Sequence, residues 1–265
     1  MDDSLIQAQL YPQCIAVVDG YTGSLSTKHS THLKRSKKVI PAHDVQLAPH
    51  LSFNSDSKES FLANRHNKQS FINMLSDAMK ARGMQVLQAK DDADQLIANT
   101  GLEISNEFIT QVVAEDADIF QLLVSQISAD SKGLYMVTDK QNAINPCLDI
   151  KAIRSKLDDD FAKCLPVLHA MSGCDTTSRP FSIGKITTLK KKEKIVAEAK
   201  PFLSPTATQE EIEEAGKKII CILYNEVDEQ LNLDNIRKKR FERTAIKNMK
   251  GVDIKKLPPT NSAAK

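Results

Sequence analysis

The sequence predicts an α/β protein in which a parallel sheet is flanked by helices and followed by a helical C-terminal extension. Short apolar runs rich in β-branched residues alternate with helical patterns through residues 14–137, which is typical of parallel strands joined by helices. Acidic residues follow several of these runs, where the carboxyl edge of a parallel sheet would carry them. Beyond residue 149 the pattern is helical.

The individual elements follow from apolar runs and from helix signals. The predicted strands are residues 14–18 (CIAVV), 84–88 (MQVLQ), 112–113 (VV) and 134–137 (LYMV). The predicted helices are residues 67–82, which Gly83 closes, residues 157–171, a basic helix reaching about Lys200, and a helix that a capping box opens at Thr208. From residue 247 the chain is polar, and we expect this tail to be frayed.

Composition narrows the class of protein without naming a partner. The chain has 265 residues, 41% of them apolar, which suits one large domain or a domain with an extension. Its net charge of +2 is nearly balanced, although basic residues bunch at 34–38, 190–194 and 237–240. Such runs are solvated faces, phosphate contacts or nuclear-import signals. The five cysteines form no CxxC pair and indicate reduced intracellular thiols. No apolar run is long enough to predict a membrane span.

Four acidic sites lie at predicted strand ends or helix starts. They are Asp19, Asp92 with Asp94, Asp116 with Asp118, and Asp175. One interpretation is that these acids only cap helices. If they converge, like charges would crowd a small volume, and hard cations such as Mg²⁺ or Mn²⁺ would relieve the repulsion. Two such ions form the clamp used to hydrolyse phosphodiesters, which needs carboxylates and neither histidine nor cysteine.

The order of four motifs points to a family. VVDGY, KDDAD, AEDAD and SGCDTT occur in that order and are followed by a glycine-containing turn. This order resembles the flap-endonuclease (XPG, asteroid-like) branch of the PIN-like nuclease superfamily. It is more closely similar to a group of animal proteins that carry VFDGY, QAKDDAD, EDxD and HAxSGCDTTS. The resemblance covers roughly residues 14–190, and the LPPT tail matches that group as well.

The resemblance implies a fold, a reaction and a set of ligands. It implies a PIN-like domain over residues 1–178, a helical extension over 179–246 with a helix-turn-helix-like start, and a tail over 247–265. The implied metal-binding and catalytic residues hold two Mg²⁺ or Mn²⁺ ions; they are Asp19, Asp92, Asp94, Asp116, Asp118 and Asp175. The extension would grip the DNA or RNA backbone, and the residues implied there are Gly184, Lys185, Lys190, Lys191 and Lys192.

The sequence departs from the family pattern in two places, and these departures favour a second possible function. In flap endonucleases a strand with a metal-binding aspartate comes well before the VFDG strand, whereas thirteen residues precede Cys14 here. We therefore expect an N-terminally incomplete PIN-like domain. Only Gly184 remains of the glycine-rich turn. The chain is thus expected to be either a metal-dependent, structure-specific nuclease or an inactive PIN-like module that binds nucleic acid or protein.

Overall fold

The protein is a mixed α/β chain in which short strands run into helices. A computed structural model describes residues 14–21, 40–48, 55–138, 140, 146–174, 177, 180–181, 183–226, 232–247 and 251–264. Two compact units make up the chain, Met1–Thr100 and Gly101–Lys265. None of the helices in the described ranges is long and apolar enough to cross a membrane.

The first unit is built on one pair of parallel strands. β1 (Ile15–Val18) pairs with β2 (Gln85–Gln88), with Ile15 opposite Gln85. Helices α1 (Ser55–Ala63) and α2 (Arg65–Lys80) lie between the two strands in the chain. The Asn64 side chain caps α2 by accepting from the His66 N–H at 2.9 Å. The predicted helix over residues 67–82 is confirmed, with a start two residues earlier.

Gly20 lies where the end of β1 crosses the chain that follows β2. Its N–H donates to the Asp91 carbonyl at 2.7 Å, and the Ala89 N–H donates to the Val18 carbonyl at 3.0 Å. A Cβ atom on Gly20 would lie 2.1 Å from the Ala89 carbonyl oxygen and 2.5 Å from that of Lys90. The glycine is therefore required by close backbone approach.

The second unit contains a three-stranded sheet. Its order is β3 (Thr110–Val113), β4 (Leu134–Val137) and β5 (Cys147–Asp149). β3 and β4 are parallel, whereas β5 is antiparallel to β4. Leu134 on β4 is fully buried, as is Leu123 on α4 (Ala117–Gln126). The division between the two units falls within helix α3 (Asp94–Ser105), between Thr100 and Gly101.

In the described part of the second unit, β5 is followed by helices α5 (Ile150–Ser155), α6 (Asp159–Lys163), α7 (Leu165–Ser172), α8 (Lys185–Leu189), α9 (Lys192–Glu198), α10 (Lys200–Leu203), α11 (Gln209–Tyr224) and α12 (Leu233–Lys247), and then by a 3₁₀ turn at Ile254–Lys256. Helices α7, α9, α11 and α12 share an apolar core. Leu168, Ile195, Ile219 and Leu233 are among the residues buried together in this core. Beyond residue 149 the described chain is mainly helical, as the sequence predicts, and the core buries the apolar stripe of α11. The predicted domain bounds at residues 178 and 246 stay a prediction.

The four strands predicted from the sequence are all present, but their arrangement differs from the prediction. We expected a single parallel sheet, and the described strands form two sheets, one of which includes the antiparallel strand β5. Apolar periodicity locates a strand without specifying its partner, and a three-residue strand is too short to show a period.

The long helices predicted in the C-terminal half are also divided. The predicted helix over residues 157–171 breaks into α6 and α7 at Cys164, because Pro166 lacks an N–H and favours the first turn of a helix. The predicted basic helix divides into α8, α9 and α10, and Pro201 lies in the first turn of α10.

The expectation of a frayed tail is wrong. Leu257 and Pro258 are buried, and the Tyr224 hydroxyl donates to the Leu257 carbonyl at 3.4 Å. Asn261 accepts from the Leu233 N–H at 3.0 Å, which caps the start of α12. The polar composition of the tail gave no sign of the apolar contacts and hydrogen bonds that attach it to the helices.

The predicted capping box of α11 is confirmed, and its energetic effect can be measured. The Thr208 Oγ1 accepts from the Glu211 N–H at 3.2 Å, and the Glu211 carboxylate accepts from the Thr208 N–H at 2.8 Å. Thr208→Ala removes one of these bonds and should lower the free energy of unfolding by about 1 kcal/mol. Urea denaturation followed by circular dichroism measures the change. Thr206→Ala, outside the helix, is the control, and an equal loss in both variants would contradict this assignment.

Candidate metal centre

The turn from β3 into α4 carries the acidic residues predicted at the edge of the sheet. Asp116 is the N-cap of α4, and its Oδ1 accepts from the Asp118 N–H at 3.0 Å. Asp118 therefore lies in the first turn of the helix, just beyond the carboxyl end of β3. Glu115 contacts Lys140 and Thr138. The hydrogen bond from Lys140 is the larger cause, and that from Thr138 the smaller, of a lowered pKa of the Glu115 carboxyl.

Asp118 belongs to a group of three side chains that could bind a metal ion, the one such group found among the described residues. Its partners are His169 on α7 and Cys174, and the ligand atoms of all three lie within 4.8 Å of one another. Helices α4 and α7 pack together, so the carboxylate and the imidazole face each other. Their closest atoms, Asp118 Oδ1 and His169 Nε2, are 2.8 Å apart. This group is the candidate metal centre.

The contact between His169 and Asp118 is close but is not a hydrogen bond. The 2.8 Å separation is within ion-pair range, yet Nε2 is buried and makes no hydrogen bond in the structure. A hydrogen bond needs a short distance and an N–H that points at the acceptor. Here the distance is short enough, so the direction of the N–H is what prevents the bond. His169 thus brings a buried nitrogen to the carboxylate without the alignment that would satisfy it.

Cys174 is held close to α7 by a tight turn. Gly173 ends the helix with φ 89°, a conformation that favours glycine, and this turns the chain back. The Cys174 N–H donates to Thr177 Oγ1 at 3.1 Å, and the Thr177 hydroxyl donates to the Ala170 carbonyl at 2.8 Å. Cys174 Sγ lies 3.3 Å from the same hydroxyl. The thiol is therefore positioned by the backbone of α7.

Asp19 occupies a separate polar cluster in the first unit, immediately after β1. Its Oδ1 accepts from the Ala93 N–H at 3.0 Å, and its Oδ2 accepts from the Tyr21 hydroxyl at 3.1 Å. Because Ala93 stands between Asp92 and Asp94 in the chain, Asp19 lies beside the backbone of that acidic pair. The carboxyl end of β1 and the start of α3 therefore lie close together.

A lysine side chain supplies positive charge to this cluster. Lys68 Nζ contacts the Tyr21 hydroxyl and lies 4.2 Å from the centre of the Tyr21 ring. Burial lowers the pKa of the Lys68 ammonium, and the nearby Asp19 carboxylate acts in the opposite direction. The protein therefore brings its own cation close to a predicted metal ligand.

The structure places part of the predicted ligand set. Asp19 lies beside the backbone of Asp92 and Asp94 in the first unit, and Asp116 lies next to Asp118 in the second. Asp175 lies outside the described residues. Convergence of all six carboxylates stays a prediction.

Sequence reasoning missed His169 and Cys174, although both stand in the stretch HAMSGCD that carried the resemblance. The pattern of acids indicates oxygen ligands alone, so it does not predict nitrogen or sulfur donors. The five-residue spacing from His169 to Cys174, across a helix end and a glycine, was the available signal.

The residues predicted to meet phosphate have different environments. Gly184 is the N-cap of α8, and Lys185 and Lys190 are exposed. Lys191 Nζ donates to the carbonyls of Ile222 and Leu223 at 2.7 Å each, so its ammonium is engaged at the end of α11. Lys192 Nζ lies 4.8 Å from the centre of an aromatic ring, that of Phe161.

The fold and the site together define a mixed α/β protein with a candidate metal centre made from one carboxylate, one imidazole and one thiol. The chain matches no protein-family profile, no curated protein and no solved structure.

Proposed function

We propose that the chain is a divalent-metal-dependent nuclease of the PIN-like, flap-endonuclease-like type. The observation that carries the proposal is the same local arrangement in two places. β1 belongs to one parallel pair of strands and β3 to another, and each is followed by aspartates that lie beside the start of a helix. These are Asp19 after β1 and Asp116 with Asp118 after β3. Ligands of parallel sheets bind at this edge. The order of the four acidic motifs supports the nuclease class.

The residues have the capacity to hold hard cations. An ionised carboxylate has about four lone-pair positions, and Asp116 uses one oxygen to cap α4. Asp116 is exposed, and Asp118 keeps 22% of its side chain accessible. In this proposal Asp116 and Asp118 bind metal, and the other predicted ligands, Asp19, Asp92, Asp94 and Asp175, keep the role that the resemblance implies. Bound Mg²⁺ or Mn²⁺ would lower the pKa of a bound water and stabilise the leaving oxygen.

The extension supports binding of a polyanion. Lys185 begins α8 and Lys190 is its C-cap, and both side chains are exposed, so their ammonium groups can contact phosphate. Lys191 is excluded from that role in this proposal, because its ammonium closes the end of α11. The proposed partner is therefore the backbone of DNA or RNA.

An inactive PIN-like module is the second candidate function, and the Lys68 cluster favours it. Both oxygens of Asp19 accept protein hydrogen bonds, and Lys68 brings a positive charge to Tyr21 and Asp19. A built-in cation lowers the need for a metal ion at that carboxylate. Such a module would bind nucleic acid or protein without cleaving a phosphodiester.

A nuclease assay separates these two functions. Wild-type protein should cleave flap, nicked or single-stranded DNA with Mg²⁺ or Mn²⁺, and the double variant Asp116→Asn with Asp118→Asn should not cleave above background. Asparagine caps helices as well as aspartate does, so α4 should persist while the negative charge is lost. Asp158→Asn is the matched control, because Asp158 caps α6 in the same way outside the proposed site.

Metal linkage gives a second readout that needs no substrate. A cation that binds only the folded protein stabilises it by mass action, so millimolar Mn²⁺ should raise the Tm of the wild type and of Asp158→Asn. The rise should disappear in the double variant. Absence of cleavage with every substrate, together with equal Mn²⁺ responses in all three proteins, would refute the nuclease in favour of the inactive module.

A further inference from the structure

The Asp118–His169–Cys174 group has a donor chemistry unlike that of a site made from carboxylates. It presents an oxygen, a nitrogen and a sulfur. Mg²⁺ prefers oxygen ligands and near-octahedral geometry, whereas Zn²⁺ accepts all three donor types in a tetrahedral arrangement. Borderline transition metals also bind nitrogen and sulfur ligands more tightly than Mn²⁺ does. The donor set therefore favours Zn²⁺.

The buried histidine nitrogen points to a ligand in this group. The His169 side chain is 10% exposed, and its Nε2 makes no hydrogen bond although Asp118 Oδ1 is 2.8 Å away. Leaving a buried polar atom unsatisfied carries a desolvation cost. A cation bound by both the imidazole nitrogen and the carboxylate oxygen would remove that cost, because a metal ligand needs no aligned N–H.

The spacing of the three ligand atoms suits one small ion. Zn²⁺ binds nitrogen and oxygen at about 2.1 Å and sulfur at about 2.3 Å, which places tetrahedral ligands roughly 3.5 Å apart. The three atoms here all lie within 4.8 Å of one another, so small side-chain rotations bring them onto one centre. Three protein ligands leave a fourth position for water.

The backbone holds these ligands on ordered elements. Asp118 is in the first turn of α4, His169 is in α7, and the two helices pack together. Cys174 follows the Gly173 turn, and Thr177 ties it to the carbonyl of Ala170. Cys174 Sγ lies 3.3 Å from the Thr177 hydroxyl, whose proton goes to the Ala170 carbonyl, so this contact helps to fix the position of the sulfur. The group is thus organised before any ion arrives.

We propose that Asp118, His169 and Cys174 form a Zn²⁺ site at which Mg²⁺ does not compete. Zinc binding stands on the geometry of these three residues alone. A regulatory consequence rests on the proposed function: Zn²⁺ bound here withdraws Asp118 from Mg²⁺ or Mn²⁺ and inhibits cleavage.

Cobalt titration reads the ligands directly. The full chain, reduced and stripped of metal, is titrated with Co²⁺, which should produce the near-ultraviolet thiolate-to-metal charge-transfer band and the visible bands of tetrahedral coordination. Zn²⁺ should abolish these bands by displacement, and millimolar Mg²⁺ should not. The proposal is overturned if the titration shows no thiolate band. It is also overturned if Mg²⁺ is as effective as Zn²⁺ in displacing Co²⁺.

Matched variants assign the band to these residues. Cys174→Ser should remove the charge-transfer band, and both Cys174→Ser and His169→Gln should weaken Zn²⁺ binding by more than about tenfold, the lower end of losses caused by disturbing a metal site. Cys147→Ser and His66→Gln are the controls, because both residues are exposed and lie outside the group. Equal bands and affinities in wild type and Cys174→Ser refute the site.

A measurement on the wild type removes any dependence on how the variants fold. Zn²⁺ should slow alkylation of Cys174 by iodoacetamide, read by mass spectrometry of the peptide that contains it, and should leave the exposed Cys147 unaffected. An unchanged rate at Cys174 overturns the proposal.

The two proposals fail separately. Cobalt bands without nuclease activity would remove the nuclease and its inhibition and keep the Zn²⁺ site. Mg²⁺-dependent cleavage without cobalt bands would do the reverse. If both are present, micromolar Zn²⁺ should suppress cleavage in the wild type. Unchanged cleavage at a Zn²⁺ concentration that fills the site would refute the regulatory consequence.

Discussion

Gly20→Ala is expected to lower the free energy of unfolding by about 3 kcal/mol or more, at the upper end of what overpacking causes. The added Cβ would lie 2.1 Å from the Ala89 carbonyl oxygen and 2.8 Å from the Lys90 carbonyl carbon. These are backbone atoms, which cannot rotate away, so the strand end must separate from the chain after β2. The bond from Gly20 N–H to Asp91 would be lost with it. Urea denaturation followed by circular dichroism measures the change.

Gly216→Ala is the control for this variant, and its effect should have the opposite sign. Gly216 lies inside α11, and a Cβ there would meet only the Phe202 ring, at 3.8 Å. Alanine is a better helix former, so the free energy of unfolding should rise by about 0.5–1 kcal/mol. A Gly20→Ala protein as stable as the wild type would show that the chain crossing at Gly20 is not as close as described.

Leu257→Asp is expected to destabilise the second unit by about 3 kcal/mol or more, because it places an unpaired carboxylate in a buried position. Leu257 is 7% exposed, and the neighbouring Pro258 is fully buried. The variant also disturbs the segment that delivers Asn261 to the start of α12. Thermal and urea denaturation of the full chain measure the loss.

Ile254→Asp provides the comparison within the same segment. Ile254 is 62% exposed, so an aspartate there should change the free energy of unfolding by no more than about 0.5 kcal/mol. If both substitutions were equally harmless, the segment would be frayed, as its composition suggested. A large loss for Leu257→Asp alone agrees with the packed tail.

The candidate metal centre shows what a residue pattern can and cannot specify. The acids after β1 and β3 could be located from the sequence, because an apolar run followed by aspartates marks the end of a buried strand. His169 and Cys174 could not be chosen in the same way. Their proximity to Asp118 depends on the packing of α7 against α4 and on the φ of 89° at Gly173. Neither feature has a periodic signal.

The lysines after Gly184 also show that packing, and not the sequence pattern, decides which partner a charged residue contacts. Lys190, Lys191 and Lys192 are equivalent in sequence, and each was predicted to meet phosphate. Lys191 instead binds the carbonyls of Ile222 and Leu223, which lie more than thirty positions away in the chain. The free carbonyls at a helix end attract whichever ammonium the packing brings near.

The sequence by itself determined the mixed α/β class, the four predicted strands, the capping box at Thr208 and the placement of acids beyond strand ends. These properties depend on local backbone preference and on apolar period, which neighbouring residues specify. Only the tertiary structure decided that the strands in the described ranges form two sheets, that the tail packs against α12, and that Asp118 lies near an imidazole and a thiol. Those contacts join distant segments, and the free energy of burial and pairing that selects them does not depend on any local pattern.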